Sequence, residues 1–123
     1  MSAAYAYFYY GVDIDLESEN SWLHKPDAIK QEDWDEDKFA ALNAWLKGCF
    51  GDDVKLGFHG TDECPLSFLY VGGLVKAKCF YSKRIIPENN ELLTSPLIFV
   101  LSKLGATLEL VQQVGWHVAA TVE

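Results

Sequence analysis

Arginine is nearly missing from this chain: among 123 residues only Arg84 carries a guanidinium. Bidentate readout of phosphates and nucleobases leans on that planar fork, so direct nucleic-acid recognition has little to work with. Cysteine is sparse as well. Cys49, Cys64 and Cys79 are odd in number and form no C-x-x-C pair, which suggests neither a disulfide framework nor a zinc knuckle and fits a reducing compartment. There is no G-x-x-x-x-G-K-S/T, G-x-G-x-x-G or G-x-S-x-G stretch, so phosphate-loop and hydrolase-elbow chemistry have no motif to rest on. No basic segment leads into a long apolar stretch near the start, and the apolar run from Leu97 to Leu101 is far short of a membrane span. Together these absences lead to the expectation of a cytoplasmic protein with no cofactor, no metal and no membrane partner.

What is present belongs to a folded globule. Half the residues are hydrophobic, with four Trp, six Tyr and seven Phe, and the length is enough to bury one core without staples. A single domain over residues 1–123 is expected. Charge, in contrast, is distributed very unevenly. Residues 1–37 hold ten acids against Lys25 and Lys30, a net of −8, while residues 38–123 hold eight acids against eight bases. Such a one-sided field repels nucleic acid and favours either a basic partner surface or simple solubility.

Periodicity supplies the elements. From Ala4 to Leu16 the residues alternate, placing Phe8, Tyr10, Val12, Ile14 and Leu16 on a core face of a long strand. Tyr5, Tyr7, Tyr9, Asp13 and Asp15 fall on the other face. Residues 17–35 form a long acidic connection anchored by Trp22, Leu23, Ile29 and Trp34. Asp35 is the expected cap of a helix running to Phe50, with Phe39, Leu42, Leu46 and Cys49 at helical spacing and Gly51 as its stop. Val54, Leu56 and Phe58 alternate as a strand, Leu66 to Val71 reads as a central strand, and Gly72-Gly73 reads as a hairpin. The hairpin leads to an edge strand with Val75, Ala77, Cys79 and Tyr81 inward and Lys76 and Lys78 outward.

A second helix is signalled by Ser95 as cap, Pro96 at the first helical position and Gly105 after the end. The tail from Thr107 to Val122 reads as a last strand, interrupted near Gln112 to Gly115. The expected fold is α+β, a two-layer sandwich with two helices on one face of a largely antiparallel sheet. Its order, β-α-β-β-β-α-β, differs from the ferredoxin-like pattern by one extra strand. Leu66, Phe68, Leu69, Phe99 and Leu101 are expected in the core.

Three constellations are candidates for function. The stretch from His59 to Cys64 crowds a thiol, an imidazole and carboxylates, but Asp62 and Glu63 beside Cys64 disfavour a thiolate. Asp13, Asp15, Glu17 and Glu19 alternate, yet Ser18 and His24 stand where a calcium loop needs Gly and Glu. Tyr5, Tyr7 and Tyr9 make a stripe of the kind enriched at interfaces, unless it is covered as a minor core. With Glu32, Asp33, Glu36 and Asp37, the stripe and the four alternating acids form the expected partner-binding set.

Residues 56–85, LGFHGTDECPLSFLYVGGLVKAKCFYSKRI, carry an apolar strand after a Pro-containing loop. In this the chain resembles small bacteriophage and prophage proteins of unknown function. The resemblance covers about a quarter of the chain and implies a protein that binds and blocks a host component. The leading expectation is thus a non-enzymatic binding module, a phage-type inhibitor or accessory factor acting on a basic protein surface. The alternatives are a small metal-dependent or thiol enzyme built on Asp13 and Asp15 or on His59 and Cys64, and a homo-oligomer joined through the tyrosine face.

Overall fold

Alternating aromatic and β-branched residues make Ala4–Ile14 the first strand, β1. In the computed structural model, which describes residues 4–16, 22–61, 64–78 and 91–122, it is followed by α1 (Gln31–Glu36), α2 (Lys38–Phe50), β2 (Lys55–Thr61) and β3 (Cys64–Lys78). Then come α3 (Glu91–Lys103), α4 (Leu108–Val111) and β4 (Gly115–Val122). The α+β class holds. The four strands form one antiparallel sheet in the order β2-β3-β1-β4.

The elements among the described residues differ from the expected ones at a turn, at a strand and at a helix start. Gly72-Gly73 is not a hairpin, because β3 runs straight through it from Cys64 to Lys78. The ladder pairs Phe8 with Val75 and Tyr10 with Val71, so three residues of β3 bulge opposite Tyr9. Gly72 takes φ 73°, the left-handed backbone that a turn and a bulge both need. Leu108–Val111 is a helical turn rather than strand, capped by the Thr107 hydroxyl, which accepts from the Leu110 N–H at 3.3 Å. Helix α3 begins before Ser95 and carries Pro96 within it. Cys79 and Tyr81 lie outside the described residues.

The helical layer packs on one face of the sheet. Trp34 of α1, Leu42 and Leu46 of α2, and Leu97, Val100 and Leu101 of α3 join Val12, Ile14, Leu16, Val54, Leu69 and Val71 in one apolar cluster. Each fully buried aliphatic side chain contributes roughly 1.5–3 kcal/mol. On α3 the buried stripe is Leu97, Val100, Leu101, with Leu104 just past its end, the i, i+3, i+4, i+7 spacing of a single face. Phe99 falls off that stripe and is 51 % exposed, which corrects its expected place in the core. Leu66, 53 % exposed at the hairpin end of β3, is corrected likewise, whereas Phe68, Leu69 and Leu101 are buried.

The long connection is tied to the same layer. Trp22, Leu23 and Ile29 pack in the main cluster, and the His24 N–H donates to the Leu104 carbonyl at 2.7 Å. Gly105, at φ 81°, lies under the His24 ring, so close that a Cβ would meet its Cγ at 2.9 Å.

The opposite face of the sheet is concave and filled by rings. Tyr9 stacks on Phe68 at 4.0 Å on one side and on His117 at 5.5 Å on the other. Tyr7 and His59 sit 6.0 Å apart although β3 lies between their strands. The edge strands β2 and β4 approach within 8 Å between Cα atoms. Two glycines allow this curl: at Gly11 a Cβ would fall 1.8 Å from the Leu69 carbonyl oxygen, and at Gly57 it would strike the Phe68 ring at 2.3 Å.

Urea denaturation will distinguish the two faces of α3. Leu101→Ala is expected to cost about 2–5 kcal/mol as a fully buried residue. Phe99→Ala, half in solvent, is expected to cost about half that or less.

Candidate functional site

In the sequence QEDWDEDK only Trp34 can turn inward, so burying it leaves Glu32, Asp33, Asp35 and Glu36 in solvent around a short helix. Asp37 then breaks the helix, with extended φ −156° and ψ 100°. It serves both neighbours. Its N–H donates to the Asp33 carbonyl at 3.1 Å, closing α1, and its carboxylate accepts from the Ala40 N–H at 3.1 Å, capping α2. The expected cap, Asp35, lies inside α1 instead and accepts from Gln31 Nε2 at 2.9 Å. Asp37 takes the role because α1 consumes the residues up to Glu36.

A groove of about 670 Å³ opens along the junction of the two helices. Asp33, Glu36 and Asp37 line it with Lys30, and Ala40, Ala41, Ala44 and Trp45 supply an apolar wall. Three of the expected partner-binding acids thus converge on a surface with hydrophobic content. Ala28 and Trp45 also border a second recess of about 400 Å³, so the two adjoin. In the second recess Phe50 meets Trp45 and Phe99 edge-on, each at 5.9 Å, and Lys103 lies 5.3 Å from the Phe99 ring centroid.

The tyrosine stripe is elsewhere, on the concave face of the sheet, and most of it is covered. Tyr7 and Tyr9 are buried at 7 % and 1 % exposure with Phe68, whereas Tyr5 is half-buried under Lys76, whose Nζ lies 4.0 Å from its ring centroid. The stripe is therefore largely a minor core rather than an open surface. The Tyr9 hydroxyl donates to Asp13 Oδ1. Burial, and then the adjacent Asp13 carboxylate, push the Tyr9 phenol well above its ordinary value, and burial alone raises Tyr70.

The remaining expected residues scatter. Asp13 and Asp15 are exposed near the end of β1, Glu32 is exposed on α1 outside the groove, and Glu17 and Glu19 lie outside the described residues. His59 is interior, close to Tyr7 and Phe68. Of its expected companions, Asp62 and Glu63 lie outside the described residues. Sequence reading passed over Trp45, Ala40 and Ala44. Their signal is helical spacing: Ala40 and Ala44 fall on the side of α2 opposite Leu42 and Leu46, while Trp45 flanks the buried face and packs against the main cluster.

No family model, no curated protein and no solved structure matches the chain. The groove is therefore interpreted from its own chemistry.

Two measurements check these assignments. Asp37→Ala should destabilise the protein by about 0.5–2 kcal/mol through loss of the α2 cap, while Asp35→Ala should stay within about 0.5 kcal/mol. Stability in urea should also fall above pH 10.0, the ordinary tyrosine value. The folded chain holds the Tyr9 proton after the unfolded chain has released it, so this contribution is complete below that pH and lost as pH rises through the folded value. Tyr9→Phe should flatten the alkaline fall.

Proposed function

We propose that the chain is a non-enzymatic protein-binding module that engages a basic partner surface through the acids at the α1–α2 junction. The observation that carries this reading is the convergence of Asp33, Glu36 and Asp37 on a groove with an alanine and tryptophan wall. Carboxylates steer a basic surface into encounter, and the apolar wall supplies the area that holds it. The resemblance of residues 56–85 to small phage proteins adds the role of inhibitor or accessory factor. Cys49, exposed and free, agrees with a cytoplasmic setting. The strand order β2-β3-β1-β4, with helices between β1 and β2 and between β3 and β4, supports a relation to the ferredoxin-like pattern without, among the described residues, the extra strand expected from sequence. Tyr5 is the member of the stripe best suited to contribute to binding, since Tyr7 and Tyr9 already fill the concave face.

A pull-down from the source cell followed by surface plasmon resonance tests the reading. Association with the recovered partner should slow about tenfold or more between low and high salt. Asp33→Asn with Glu36→Gln should reproduce that slowing with little change in dissociation, while Asp37 is kept for its cap. Association indifferent to salt and to both substitutions would make the acids a solubilising face only.

A further inference from the structure

We propose that the outward face of α2 is the seat for one helix of the protein partner, lying along α2 with its acidic first turn at Lys25 and Lys103 and its basic last turn at Asp33 and Glu36. This rests on the protein-binding reading above and adds the partner's secondary structure and direction.

Charge order is the first argument. The groove beside the start of α2 sets three carboxylates against Lys30, whereas the adjoining recess beside its end sets Lys25 and Lys103 against Asp27. The surface therefore changes sign along the helix. An α-helix favours acids in its first turn and bases in its last, because its dipole is positive at the N-terminus and negative at the C-terminus. A partner helix of ordinary charge pattern meets both ends of the seat correctly in one direction only.

The surface between those ends fits a helix. Ala40, Ala44 and Gly48 are exposed and spaced four residues apart, one row of small side chains along α2. A Cβ built at Gly48 meets nothing within 4 Å. Packing within this fold therefore requires no glycine there, and glycine weakens a helix relative to alanine. A second helix packed on that row gains from the missing side chain, since helix separation is set by the residues at the contact. Trp45, Phe50 and the half-exposed Phe99 provide an apolar recess for a large side chain from the partner. The 13 residues of α2 extend about 20 Å at 1.5 Å per residue, the length of three to four turns of a partner helix.

Two fluorescein-labelled synthetic peptides of about thirteen residues, both held helical by a covalent staple, test the seat on the full chain by fluorescence anisotropy. One has glutamates in its first turn, leucines along one face and lysines in its last turn; the other has the same composition with the charges exchanged. The first should bind at least about tenfold tighter. Gly48→Leu should weaken it by a similar factor, whereas Gly48→Ala should raise the melting temperature and so show that the position is not needed for folding. Lys103→Glu combined with Asp33→Lys and Glu36→Lys should invert the preference between the peptides. Equal affinity for both peptides, binding of neither, or a Gly48→Leu protein that binds like the original overturns the proposal. If the recovered partner keeps its salt-dependent association in the Gly48→Leu protein, the protein-binding reading survives and the helix seat alone fails.

Discussion

β1 is paired with the single strand β3 from Tyr5 to Ile14, broken only by the bulge opposite Tyr9, and the two backbones press together where Gly11 faces the Leu69 carbonyl. Both faces of β1 are consequently apolar. Val12 and Ile14 enter the cluster beneath the helices, while Tyr7 and Tyr9 enter the ring cluster on the concave side. A one-residue slip would exchange the aliphatic set for the aromatic one. The bulge opposite Tyr9 accommodates the extra residues of β3 and increases the local twist.

The curl divides the molecule's labour. Because β2 and β4 bend toward each other, the concave face is occupied by Tyr9, Phe68, Tyr7 and His59, and these rings stabilise the fold. The acids of α1 and of its junction with α2 lie exposed on the helical layer, on the other side of the sheet. Those acids could not have been placed inward without unpaired buried charge. Trp34 determines which way α1 turns, and Asp37 joins α1 to α2 through one backbone donor and one carboxylate acceptor. The exposed acids of α1 and the buried ring cluster thereby lie on opposite sides of one sheet.

Local patterns were legible in the sequence wherever one period was sufficient. The alternation of β1, the Leu42–Leu46 face of α2 and its stop at Gly51, and the anchoring of the connection by Trp22, Leu23, Ile29 and Trp34 all follow from side-chain spacing, and the structure shows each of them. The isolation of the acidic charge in the first third is a property of the sequence itself. The groove was half legible: its acids were named, but its wall was not, since Ala40 and Ala44 are small exposed residues with no hydrophobic signal of their own and Trp45 sits at the flank of the Leu42–Leu46 face.

The rest depended on partners distant in the chain. Glycine at φ 73° serves a turn or a bulge equally well, and only the continuous pairing of β3 with β1 decides for the bulge at Gly72. An apolar run such as Leu97 to Leu101 announces burial without saying which side is buried, and the direction of the sheet leaves Phe99 outside. Asp35 and Asp37 are both able to cap a helix. The choice fell to Asp37 once Trp34 had been drawn into the core and α1 had formed around it. Alternation separates the tyrosines from the aliphatic face, and that much the sequence determined by itself. Whether the tyrosine face meets solvent or closes on itself was decided by the curvature of the sheet, because burial depends on the distance between strands that no local period encodes.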